Sequence, residues 1–213
     1  MTIATALTIS LLCNSYASKW RIFMNYNNFI AITNRHLCKK NDYLQQIKHI
    51  AQLHPKAIVL REKDLPLEEY IALAKNVLQI CKKEDTTLIL HNYAEAAHVL
   101  EHPYIHLPIS ILSTILPSDN ICSSITMLGT SVHSIEQALL AKQFGCNYIF
   151  AGNIYETNCK PGLAGKGLNF LKEVVQIAYM PVYAIGGISP DNIKEVLSTG
   201  AAGGCMMSGF MEH

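Results

Sequence analysis

The sequence predicts an α/β fold, a small (β/α)8 barrel in a single domain, and three observations carry that prediction. Eight short apolar runs recur along the chain from Phe29 onward. Helix-like segments separate most of them, the alternation of parallel strands joined by crossover helices. Eight such units fill the roughly 185 residues from Asn28 on, a compact version of the barrel. The competing architecture is an open doubly wound sheet, but its dinucleotide fingerprint is missing. "GLAGKG" (162–167) has the spacing G-x-x-G-x-G, and no strand runs directly into it. Nor is it a P-loop, because Gly167 rather than Ser or Thr follows Lys166.

In chain order, the expected strands are "FIAIT" (29–33), "KAIVLR" (56–61), "TLILH" (87–91), "YIHLP" (104–108), "TMLGTS" (126–131), "NYIFAG" (147–152), "PVYAIGG" (181–187) and "GGCMMSG" (203–209). Helical periodicity is clearest over 42–54, 67–82, 134–144, 168–178 and 191–199. Ser134 and Asp191 stand where N-caps belong. Gly145 and Gly200 stand where a helix ends in a left-handed residue. No linker, low-complexity tract or internal repeat divides the chain.

Composition narrows the function. Half the residues are hydrophobic, 15% are charged and the formal net charge is +1, so a large core is available and no nucleic-acid footprint is present. Seven cysteines, an odd number with no C-x-x-C pair, point to reduced cytosolic thiols, among them Cys81, Cys122, Cys146 and Cys205. His98, His102 and His106 recur every four residues, which on one helix would make a ligand stripe. Pro103 interrupts any such helix, and "YIHLP" alternates like a strand, so no metal is expected there.

In a barrel the chemistry sits just past the strand C-termini. That rule selects Arg61 and Lys63 after the second strand and Asn92 after the third. It selects His133 after the fifth, Thr157, Asn158 and Lys160 after the sixth, Gly186 and Gly187 after the seventh, and Ser208 and Gly209 after the eighth. This set is cationic and rich in donors, as a site for an anionic small molecule requires. The "AIGGIS" and "MMSG" segments suit a phosphate cup of backbone N–H groups after the last two strands. The polar, glycine-rich "YETNCKPGLAGKG" has the composition of a lid.

"VLREKD", "GTSVHSIEQA", "CNYIFAGNIYETNCKPGLAGKGL", "PVYAIGGISPDN" and "GFM" follow one another in this order, and in them the chain resembles the thiamine phosphate synthase and TenI superfamily from Asn28 to Phe210. The resemblance implies a (β/α)8 barrel. Its synthase branch couples a pyrimidine pyrophosphate to a thiazole phosphate and uses Mg²⁺, held by aspartates, to neutralise the leaving pyrophosphate. Against that pattern, Tyr93 follows Asn92 where the first acid belongs, and "HLPISILS" holds no second acid. Val59 replaces a glutamine, and Cys159 replaces a threonine of the pyrophosphate loop. "SVHS" followed by "ETNCKPGLAGKG" is similar to TenI, the thiazole tautomerase.

These departures favour the isomerase. The expected reaction aromatises a thiazole carboxylate phosphate by proton transfer through His133, with Arg61 holding the anion. The thiazole phosphate would be bound by Lys63, Asn92, Thr157, Lys160, Gly186, Gly187, Met207 and Ser208. An imidazole titrates near neutrality and suits such a transfer. No cofactor is implied, because the aromatic product supplies the driving force. Thiazole synthase is the implied functional link. The alternatives are the synthase reaction itself and a non-catalytic thiazole-phosphate-binding or regulatory protein.

The two ends carry expectations of their own. The first 23 residues are apolar, lack a positive n-region and are marginal for a membrane span, which suggests Met24 as the natural start. At the other end "MMSGFMEH" leaves little room for a helix after the eighth strand. Apolar surface left bare there would seek a partner, such as a second copy of the chain, or be covered by residues 3–13.

Overall fold

A computed structural model describes residues 25–38, 42–115, 124–157 and 162–212. The segment 1–23, Cys122, Asn158, Cys159 and Lys160 therefore lie outside the described residues. Eight parallel strands close into a barrel in sequential order: β1 (Phe29–Ile32), β2 (Ala57–Leu60), β3 (Leu88–His91), β4 (Tyr104–His106), β5 (Met127–Val132), β6 (Tyr148–Gly152), β7 (Val182–Ile185) and β8 (Gly203–Met206). Closure is made by β1 against β8, with Phe29 opposite Gly204 and Ala31 opposite Met206. Each apolar run of the sequence marks one strand, shorter than the run by a residue or more in most cases, while β5 is shifted by one residue and ends at Val132, beyond its run.

Helices cross over between the strands: α1 (Tyr43–Gln52), α2 (Leu67–Lys83), α3 (Ala94–Val99), α4 (Ile109–Ile115), α5 (Ile135–Gln143), α6 (Gly167–Ala178) and α7 (Ile193–Ser198). A four-residue helix, α8 (Ser208–Met211), follows β8 and buries Phe210 and Met211. Ser134 caps α5 by accepting from the Gln137 amide. Asp191 does not cap α7: the residue before that helix is Asn192, whose Oδ1 accepts instead from the Ser189 amide. Gly145 and Gly200 adopt positive φ as expected. His98 ends up on α3, His102 in a loop bonded to the Leu88 carbonyl, and His106 on β4, so the three share no face. Cys81, Cys146 and Cys205 are buried free thiols. Among the described residues no helix is long and apolar enough to cross a membrane.

The two-residue period of each strand sorts its side chains into two cores. Outward-facing Ala31, Ile58, Leu60, Leu88, Leu90 and Ile149 pack under the helices. Inward-facing Ile30, Val59, Ile89, Tyr148, Phe150, Tyr183 and Cys205 fill the barrel. The filling depends on Gly129 of β5, where a Cβ would lie 2.0 Å from the Tyr148 ring. Because the interior is packed, a ligand can be taken only at the mouth, where the strands end.

Candidate active site

A cavity of about 420 Å³ opens at the C-terminal ends of the strands. Arg61, Lys63, His133, Thr157, Gly186, Gly187 and Ser208 line it, where the position rule for barrels places them, and so does Met207, which the family resemblance implied. Asn92 does not. It follows β3 with φ 73°, its amide donating to the His106 carbonyl at 3.0 Å. Tyr93, in the place of the family acid, is also outside the cavity wall. Its hydroxyl donates to the carbonyls of Leu65 (2.5 Å) and Lys63 (3.2 Å), tying down the loop after β2.

That loop is pinned a second time by a buried carboxylate. Glu62 accepts from the Thr33 hydroxyl (2.7 Å), the Tyr43 hydroxyl (2.9 Å), the Arg35 amide (3.1 Å) and the Arg35 guanidinium (3.3 Å). The Thr33 oxygen in turn accepts from the Arg61 amide at 2.9 Å. A carboxylate so fully bonded is a fixture of the scaffold, and it sets the backbone from which Arg61 reaches the mouth.

Across the cavity, Gly186 and Gly187 take φ of 97° and 66°, values that favour glycine. They also lie too close to the loop after β6 for any side chain. A Cβ on Gly187 would sit 2.7 Å from both the Glu156 carbonyl oxygen and the Tyr155 Cβ. This loop is anchored by the Tyr155 amide on the Gly186 carbonyl (3.0 Å) and by Asn153 Nδ2 on the carbonyls of Leu163 and Ala164. His133 donates from Nδ1 to the Gly152 carbonyl at 2.7 Å, which leaves Nε2 for a ligand.

Among the wall residues that escaped the sequence reading are two histidines. His91 and His106 end β3 and β4 side by side in register, their rings stacked at 5.6 Å and 12°. His106 stacks in turn on Phe150 at 4.2 Å. Both of its nitrogens are engaged, Nδ1 with the Tyr148 hydroxyl (3.2 Å) and Nε2 with the Ser131 hydroxyl (2.9 Å). His91 differs: its Nδ1 is closed off from solvent without a hydrogen-bond partner. Burial, together with the charges of Lys63 and Arg61, pushes the His91 imidazole down to about 3. Burial likewise holds His106 well below the ordinary imidazole range. The signal was available: both histidines stand at inward positions, last in their strands.

The family model described as thiamine monophosphate synthase matches residues 29–210. The chain belongs to that family. A relative from Aquifex aeolicus is 32% identical over 194 residues, spanning 89% of this chain and all of its own. The thiamine-phosphate synthase of Pyrococcus furiosus is 29% identical, spanning 88% of this chain and 90% of its own. A solved structure of a thiamine phosphate pyrophosphorylase from that organism superposes with a TM-score of 0.73 at 27% identity, covering 89% of each chain.

These names correct the functional expectation. The relatives over most of the chain are synthases, which are transferases, and none of these names is a tautomerase. The isomerase reading rested on four positions in one subsite and on the likeness of "SVHS" and "ETNCKPGLAGKG" to TenI. Those substitutions stand in the sequence, at positions that the family pattern gives to the pyrophosphate subsite.

Proposed function

We propose that this chain joins a pyrimidine pyrophosphate to a thiazole phosphate, the transferase reaction of the synthase branch. The observation that carries the reading is the pairing of two anion-binding ends in one cavity, Arg61 and Lys63 on one side and the glycine cup with Ser208 on the other. Two phosphorylated substrates need two such ends, and the relatives named thiamine-phosphate synthase favour this coupling over isomerisation of one carboxylate phosphate, which would also occupy both. In the coupling, the thiazole nitrogen forms a C–N bond to the methylene carbon of the pyrimidine. The C–O bond to pyrophosphate breaks, and its electron pair leaves with the pyrophosphate. No oxidant is consumed. Holding both substrates in line within the cavity lowers the entropic part of the barrier. The guanidinium of Arg61 suits a pyrophosphate, whose oxygens it can grip in pairs. His133 would contact the substrate through Nε2.

The Mg²⁺ of the synthase branch does not fit the described residues. Among the described residues no carboxylate lines the cavity, and Mg²⁺ is ordinarily held through one or two carboxylates together with phosphate oxygens. Glu62, the nearest acid in sequence to Arg61 and Lys63, is spent on its own hydrogen bonds. Neutralising the leaving group therefore falls to Arg61 and Lys63. The test is to supply both substrates and follow coupled product, in Mg²⁺ and in chelator. Product in both conditions is the expected result. Tight binding of thiazole phosphate with no coupling in either would overturn the reading in favour of a non-catalytic binding protein.

A further inference from the structure

His91 and His106 have the same residue type, neighbouring register positions and nearly parallel rings, yet opposite hydrogen-bonding status. His106 is saturated by two hydroxyls from β5 and β6 and serves as a rigid wall. His91 lines the cavity, is 92% buried, and has an enclosed ring nitrogen with no partner. A buried polar atom left unpaired in this way is costly, and a native fold keeps few of them without a function. Its backbone is held just as firmly as the rest of the wall, since the His91 amide donates to the Tyr70 hydroxyl at 2.9 Å and that hydroxyl donates to the Leu60 carbonyl at 2.8 Å.

We propose that His91 is the specificity-determining contact for the heterocycle of the pyrophosphate-bearing substrate, hydrogen-bonding that ring while His106 and Phe150 form the flat wall beside it. Arg61 and Lys63 lie near enough for their charges to act on His91, so the anionic tail of such a ligand has cations at hand. A neutral imidazole between those cations and the aromatic wall is suited to the uncharged part of the ligand. A ring nitrogen of a neutral imidazole donates or accepts according to its tautomer, so it can pair with either an exocyclic amine or a ring nitrogen of a heterocycle. The proposal rests on the coupling reading for the identity of the substrate, but recognition of the ring is a binding property and is measured without turnover.

The experiment compares the affinities of a pyrimidine methyl pyrophosphate and of inorganic pyrophosphate by calorimetry, for the unmodified chain, His91→Leu and His91→Asn. The unmodified chain should bind the ring-bearing ligand more tightly than inorganic pyrophosphate. His91→Leu should lose about tenfold or more of the ring-bearing affinity, near 1.4 kcal/mol, and keep inorganic pyrophosphate within about twofold. His91→Asn, which restores a donor and an acceptor, should recover part of the loss, and it carries the comparison alone if the leucine variant does not fold. Equal losses for both ligands would make His91 an anion donor and overturn ring recognition. So would an unmodified chain indifferent to the ring, or a leucine variant that binds both normally. Ring-dependent binding without any coupling would instead overturn the proposed reaction and leave this inference standing.

Discussion

His91 should make the fold acid-sensitive, and the size of the effect follows from its surroundings. Buried at the mouth and faced by Lys63 and Arg61, its imidazole stays neutral in the folded chain down to about pH 3, whereas it titrates near 6.5 when unfolded. A folded-state value below the unfolded one means stability is complete above the unfolded value and is lost as pH falls toward the folded one. Between pH 7 and pH 5 the unfolded chain takes up the proton and the folded chain does not, which costs about 2 kcal/mol of stability. The loss continues to grow below pH 5 until the folded histidine also titrates. His91→Leu removes this term and leaves every other titrating group in place, His106 included. Urea unfolding at both pH values, for both proteins, isolates it as a double difference. The unmodified chain should lose about 2 kcal/mol more than the variant. Stability curves that run parallel, within about 0.5 kcal/mol, would refute the claim that His91 is buried neutral.

Two further outcomes test the site's frame. Gly187→Ala, forced into a positive φ and against the Tyr155–Glu156 backbone, should weaken thiazole phosphate binding at least about tenfold, read by calorimetry, and unchanged affinity would remove the cup from the second loop pair. Glu62→Leu strands the hydroxyls of Thr33 and Tyr43 and should cost about 3 kcal/mol of unfolding free energy, with Glu62→Gln intermediate.

The barrel was legible because its signal is redundant. Eight apolar runs such as "KAIVLR" and "NYIFAG" each mark a strand, and the long amphipathic helix Leu67–Lys83 lies where its period places it. Two of the shorter helices, α3 and α4, were not legible: six residues of "AEAAHV" span fewer than two turns, too few to show a period. Most of the site followed from strand ends alone. Asn92 did not: it takes a left-handed φ just after β3, and nothing local distinguishes that turn from a continued strand. His91 and His106 were hidden by their company, the one ending an apolar run and the other sharing a four-residue rhythm with His98 and His102. Their inward register, which depends on where each strand begins, is a property of the closed barrel.

The space vacated at Gly129 has a consequence for how this family can diverge. The Tyr148 ring fills the room that a β5 side chain would occupy, and its hydroxyl holds His106 on β4. Three strands are thereby bound into one heritable unit. A relative that gains a side chain at the position of Gly129 must give up the tyrosine, and with it the bond that fixes the histidine. Substitutions at these positions should therefore arise together across descendants of this barrel, and a lineage caught between the two arrangements would carry a destabilised core.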